Sequence, residues 1–177
     1  MNQIAKLIDR EVKWVQPSIW KSDSELRAGD ELVATLRFRS PWGSLATGQS
    51  PDGCWTFKRV GFWQTRVTIR ACESDVDVAV FQNNTWSGGG TLELPDGGQI
   101  LATTNFWHTN LEFKAGADQT LIEFRARGLT GHSADVVIQP AAAQLSELPW
   151  VVMLGWYLVI MMHRDTASAA GATAAIS

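Results

Sequence analysis

A chain of 177 residues, 45% hydrophobic and 19% charged, has the size and balance of one globular domain. Its formal net charge of −3 lacks the global basicity that nucleic-acid binding calls for, so no nucleic-acid partner is expected. Two cysteines, Cys54 and Cys72, form neither a C-x-x-C pair nor a metal-ligand spacing with histidine. With no signal-like segment ahead of the first strand, both are expected as reduced thiols in the cytosol.

Residues 1–11 read as an apolar lead-in, with Ile4, Leu7 and Ile8 at the spacing of an amphipathic turn. From residue 12 the chain breaks into short β-like runs: 12–16, 32–39, 44–48, 54–60, 66–71, 76–81, 91–94, 99–103, 110–114, 121–126 and 134–138. Turn residues separate them, among them Ala28-Gly29-Asp30, Pro51-Asp52-Gly53, Pro95-Asp96-Gly97 and Gly116-Ala117-Asp118. The spacing predicts about eleven or twelve strands in a meandering sheet or barrel. Within the runs, Val67, Ile69 and Ala71 alternate with Arg66, Thr68 and Arg70, and Ile122, Phe124 and Ala126 alternate with Glu123, Arg125 and Arg127. Each is a strand with one face buried and one wet.

A shift of 44 residues lays 31–71 on 75–115 without a gap. Trp42 then falls on Trp86, Pro51-Asp52-Gly53 on Pro95-Asp96-Gly97, and Phe62-Trp63 on Phe106-Trp107. Matched turns at a fixed offset predict one β-meander used twice. The two segments differ in charge: the first holds six cations against two acids, the second one cation against five. Nine Trp are many for this length; core and barrel-wall packing accounts for them, with a Trp-lined ligand groove as the alternative.

The run 148–162, LPWVVMLGWYLVIMM, contains no charge. It is shorter than the ~20 residues of a bilayer span and apolar on all sides, so it predicts a helix at 147–162 enclosed on every side. Ser146 stands where a cap would sit, with Glu147 in the first turn. Residues 166–177 lack large apolar side chains and are expected as a disordered tail. An all-β antiparallel barrel of about twelve strands, enclosing the hydrophobic C-terminal helix, is the expected fold.

The helix LPWVVMLGWYLVIMMHRD and the strand pairs WTFKRVGFWQTRVTIRA and GGGTLELPDGGQILATTNFWHTNLEF resemble the tubby C-terminal-like superfamily. That superfamily joins tubby, LURP-one-like proteins and phospholipid scramblases; the chain looks most like its small bacterial members. The resemblance covers 12–165 and implies a twelve-stranded barrel around a hydrophobic helix. Scramblase activity is not implied, because the scramblase cysteine cluster and acidic calcium segment have no counterpart. Phosphoinositide binding is not carried over either, because no basic cluster matches tubby's residue by residue.

Catalytic patterns fail one by one. His108, His132 and His163 have no ligand-spaced partners, so no metal is expected. Ser87-Gly88-Gly89-Gly90 lacks the phosphate-loop frame and reads as a hairpin or bulge. Asp52 and Asp96 belong to Pro-Asp-Gly turns, which need them for backbone geometry. The expectation is therefore a non-enzymatic binding or interaction module without a cofactor. Its ligand would be an anionic phospholipid headgroup or an acidic protein surface, met by Arg37, Arg39, Arg66 and Arg70 on outward strand faces. A cytoplasmic location, peripheral at the membrane and without a transmembrane span, goes with it. Two other readings stay open: a membrane-anchored protein using 148–162, and an enzyme whose site the residues do not reveal.

Overall fold

Alternation of apolar and polar side chains runs through twelve strands in the computed structural model, which describes residues 3–18, 22–84, 88–105, 107–128 and 132–174. The strands are β1 (Val12–Val15), β2 (Asp23–Ala28), β3 (Glu31–Phe38), β4 (Ala46–Ser50), β5 (Gly53–Val60) and β6 (Arg66–Ala71). They continue as β7 (Asp77–Asn83), β8 (Gly90–Glu93), β9 (Gln99–Thr104), β10 (Asn110–Ala115), β11 (Gln119–Ala126) and β12 (Ser133–Ile138). A single α-helix, α1 (Leu148–Ala174), follows. Each strand pairs antiparallel with the next, and β1 pairs with β12, so the sheet closes on itself and leaves no edge.

Twelve strands about 4.8 Å apart and tilted by about 40° enclose a bore roughly 24 Å across, backbone to backbone. That admits one helix with a layer of side chains around it. The inward rows are Ala34, Leu36 and Phe38 on β3, Val67 and Ile69 on β6, Leu111 and Phe113 on β10, and Ile122 and Phe124 on β11, all buried. Residues 148–159 of α1 are buried without interruption. Trp156 stacks on Trp14 of β1 at 5.9 Å between ring centroids. Small residues make the approach possible. A Cβ on Gly155 would overlap the Phe124 ring, and Gly48 of β4 leaves space for Met153. Among the described residues no helix is long and apolar enough to cross a membrane.

Because neighbouring strands run in opposite directions, the connections β1–β2, β3–β4, β5–β6, β7–β8, β9–β10 and β11–β12 gather at one end of the barrel. We call it the loop end. After β12 a 3-10 turn (Pro140–Gln144) crosses the opposite end, and α1 threads the bore towards the loop end. There Arg164 donates to the Gly43 carbonyl. At the opposite end the Asp52 carboxylate accepts the backbone N–H groups of Gln3 (2.7 Å) and Ile4 (3.1 Å), fastening the N-terminal 3-10 turn (Ile4–Leu7).

Four features differ from the sequence expectations. First, Cys54 and Cys72 are joined in a disulfide, not free thiols. The pairing Trp55↔Ala71 brings them opposite one another, 5.4 Å apart at Cα, so the 18-residue separation is hairpin register and not a short motif. Second, α1 runs to Ala174, although a tail was expected from 166. Disorder follows when a segment cannot bury enough surface to fold alone, but a segment that prolongs an existing helix adds a hydrogen bond per residue without a new nucleus. Alanines 167, 169, 170, 172 and 174 suit it. Residues 175–177 lie outside the described ones. Third, the helix begins at Leu148. The Glu147 carbonyl takes the first bond, from Val151 N, and Ser146 donates to the Glu147 carboxylate instead of capping. Fourth, β2 has no counterpart among the expected runs, because its inward row, Ser24, Leu26 and Ala28, holds one large apolar residue.

Strands β3–β6 and β7–β10 fall at the 44-residue shift, with β6 and β10 coinciding end for end. Pro51-Asp52 forms the β4–β5 connection with Gly53 opening β5, and Pro95-Asp96-Gly97 lies within the β8–β9 connection; Gly53 and Gly97 have φ 152° and 86°. Their builds differ. Asp52 reaches the N-terminal turn, whereas Asp96 accepts from Gly98 N within its own, longer connection.

Candidate functional site

The strand period sends Arg37 and Arg39 outward at the end of β3, and Arg66 and Arg70 outward on β6. Arg37, Arg39 and Arg66 are exposed and Arg70 is half-buried. They do not form one patch, because β4 and β5 lie between β3 and β6. Arg37 and Arg70 occupy one lateral row, Arg37↔Thr47↔Thr56↔Arg70, three strand spacings or about 14 Å apart. Each has an acid on its far side: Arg37 pairs with Asp23, and Arg70 with Asp77. Arg39 and Arg66 make no ion pair among the described residues. Lys58, outward on β5 and exposed, lies diagonally beside Arg66 across the pair Val60↔Arg66. The unpaired cations of this wall are therefore Arg39, Lys58 and Arg66, all close to the loop end.

The two ends of the barrel differ in chemistry. The six connections of the loop end, 16–22, 39–45, 61–65, 84–89, 105–109 and 127–132, contain no Asp or Glu. Five of the six contain Trp: Trp20, Trp42, Trp63, Trp86 and Trp107. At the opposite end the five hairpin connections hold Asp30, Asp52, Glu73, Asp75, Asp96 and Asp118, with no cation and no aromatic residue. Trp42 is 98% exposed, Phe62 87%, Trp63 86% and Trp107 76%. All the exposed aromatics among the described residues are thus at the loop end. Trp20, Trp86 and Phe106 lie outside the described residues.

Core packing accounts for Trp14, Trp150 and Trp156, which are buried, and in part for half-buried Trp55. It does not account for Trp42, Trp63 and Trp107. A signal for these was present in the sequence: the five loop-end Trp recur every 21–23 residues, once per hairpin.

The mouth of the bore at this end is polar and tightly bonded. Tyr157 donates to the Ser44 carbonyl at 2.7 Å and accepts from Arg59 N at 3.0 Å. Burial pushes its phenol up to about 12, against the opposing pull of the Arg59 charge. Arg59 has the inward parity of Phe57, and its guanidinium meets both Asp165 carboxylate oxygens at 2.9 Å. Arg164 lies over the Phe38 ring, 4.0 Å from its centroid, and burial draws its pKa down. Beside this cluster a cavity of about 180 Å³ has apolar walls of Phe81, Leu111 and Leu158, with His108 at its rim. Among the described residues no group of three or more His, Cys, Asp or Glu could hold a metal ion.

Comparison with protein-family models, with curated proteins and with solved structures finds no match.

Proposed function

We propose that the protein is a non-enzymatic binding module for anionic surfaces, and that the headgroup layer of an anionic membrane is its ligand, met by the loop end. One observation carries the reading: the six loop-end connections hold no carboxylate, while the five opposite hold six and no cation. A molecule so divided takes a fixed orientation in the field of a negative surface. Arg39, Lys58 and Arg66 supply the nearest unpaired attraction. Arg37 and Arg70, half neutralised by their aspartates, contribute less. At about 1 kcal/mol for each basic group near the surface, screened by salt, three cations support weak and reversible attachment.

Two further readings belong to the same proposal. The strand number and the threaded helix support the tubby-like resemblance, taken at the level of fold, and β3–β6 with β7–β10 as two copies of one four-strand unit. The Cys54–Cys72 disulfide supports an oxidising compartment in place of the cytoplasm.

Flotation with vesicles of phosphatidylcholine alone, or containing phosphatidylglycerol, tests the proposal at low and moderate salt. Wild type should float with anionic vesicles at low salt and bind less as salt rises, and Arg39→Glu/Arg66→Glu should float less than wild type at low salt. Equal behaviour of both proteins on both lipids would overturn the lipid reading and leave an acidic protein surface as the ligand.

A further inference from the structure

We infer that the loop end is a membrane-insertion surface: its ring of aromatic tips enters the interfacial layer of a lipid bilayer. The inference rests on the anionic-surface reading and adds a second, apolar attachment to it.

Four observations meet here. The aromatic side chains sit at hairpin tips and stand largely in water. Trp42 is on the β3–β4 connection, Phe62 and Trp63 on β5–β6, and Trp107 on β9–β10, all more than three-quarters exposed. Phe62 and Trp63 meet edge to face, 5.3 Å between ring centroids, and make an exposed apolar patch of the kind that marks an interaction surface. The tips also surround the rim of a bore roughly 24 Å across instead of lining a cleft. A glycan or a peptide strand is gripped in a concavity, whereas a ring of separate tips meets a flat partner at several points together. Trp is the side chain most at home at the bilayer interface, with an apolar body and a polar N–H.

Charge is arranged to match. The tips themselves carry no carboxylate, and Asp165 at the centre of the ring is paired with Arg59. Arg39 and Arg66 flank the tips at the strand ends, and Lys58 lies beside Arg66, where long side chains reach phosphates while the rings go deeper. The centre of the ring is occupied by α1. After its latch at Asp165 the helix continues for nine residues, Thr166 to Ala174, without an ionisable side chain. That is about 14 Å of small-residue helix at 1.5 Å per residue, directed out of the loop end. Cations alone would give attachment that salt removes; inserted rings give attachment that salt does not.

The test uses the full-length oxidised protein and phosphatidylcholine vesicles containing phosphatidylglycerol, with lipids brominated at shallow acyl positions. Tryptophan emission should be quenched on binding, and a fraction of the protein should stay on the vesicles at high salt. Trp42→Ala/Trp63→Ala/Trp107→Ala should show much weaker quenching and bind about 100-fold more weakly, on the order of fivefold for each partly buried ring. Its circular dichroism and melting temperature should match wild type, because the three side chains are exposed. Vesicle binding without bromine quenching overturns insertion and leaves the electrostatic reading standing. Failure of wild type to float on any vesicle overturns both. Self-association in the absence of lipid, abolished by the triple variant in sedimentation velocity, overturns insertion by assigning the ring to a second copy of the chain.

Discussion

Tyr157 is the chain's one tyrosine, so its ionisation can be followed without interference. Enclosed at the mouth of the bore and bonded to Ser44 and Arg59, it should show no near-ultraviolet absorbance change around pH 10 in the folded protein. The change should come near pH 12, where burial has moved it. Above pH 10 the unfolded chain releases a proton that the folded protein keeps. The contribution of Tyr157 to stability is therefore whole below about pH 10 and is lost as pH rises towards 12. Titration near pH 10 in the folded state would contradict the burial. Tyr157→Phe leaves the Ser44 carbonyl and Arg59 N–H without their partner and should cost about 1–3 kcal/mol, read as a lower melting temperature.

At the scale of the element, α1 and the β5–β6 hairpin carry separate predictions. Leu154 is wholly buried midway along the enclosed part of the helix. Leu154→Asp would leave an unpaired charge in the bore at a cost of about 3–5 kcal/mol or more, a large share of a domain's stability. Loss of the cooperative thermal transition is expected; an unchanged melt would refute the enclosure. The Cys54–Cys72 bond closes a loop of 18 residues and is worth roughly 3 kcal/mol. Reduction should lower the melting temperature by about 6–12 °C in a protein of this size.

These elements also show what the sequence could convey. Period-two alternation was enough for eleven strands, and the uncharged run was enough for the enclosed helix. Strand β2 escaped because two of the three residues in its inward row are small or polar, Ser24 and Ala28 beside Leu26, and the barrel fixes it through neighbours on both sides. The disulfide escaped because it depends on a register that only hairpin pairing supplies. The parity of Arg59 with Phe57 on β5 points it inward. An inward arginine makes sense only once a helix end brings Asp165 to meet it.

Taken whole, the molecule is a cylinder with unlike ends and an ion-paired wall. Arg37–Asp23, Arg70–Asp77, Arg125–Glu123 and Arg127–Asp135 all lie along the strands and largely cancel one another. The acidic connections at one end and the unpaired Arg39, Lys58 and Arg66 near the other set the direction of the molecular field. The charge contrast read in sequence between 31–71 and 75–115 divides across the wall, where pairing such as Arg70–Asp77 absorbs part of it. The candidate site was legible only in fragments. Arg39 and Arg66 belong to it, Arg37 and Arg70 are mostly neutralised, and the Trp tips emerge once the closed topology shows that alternate connections share one end.

The threaded helix also dictates the order in which the chain can fold. The bore is filled by residues 148–159, which follow all twelve strands, and the seam joins β1 to β12 from opposite ends of the sheet's sequence. Until that segment has been synthesised, the inward rows have nothing to pack against, and the barrel cannot close stably around an empty centre. Such non-local closure is slow and leaves apolar strand faces exposed meanwhile. A chain ending at residue 146 should therefore give no cooperative melt and should aggregate, as circular dichroism and light scattering would show. For this protein the strands come first and closure comes later: the twelve strands must wait for residues 148–159, the segment that they enclose.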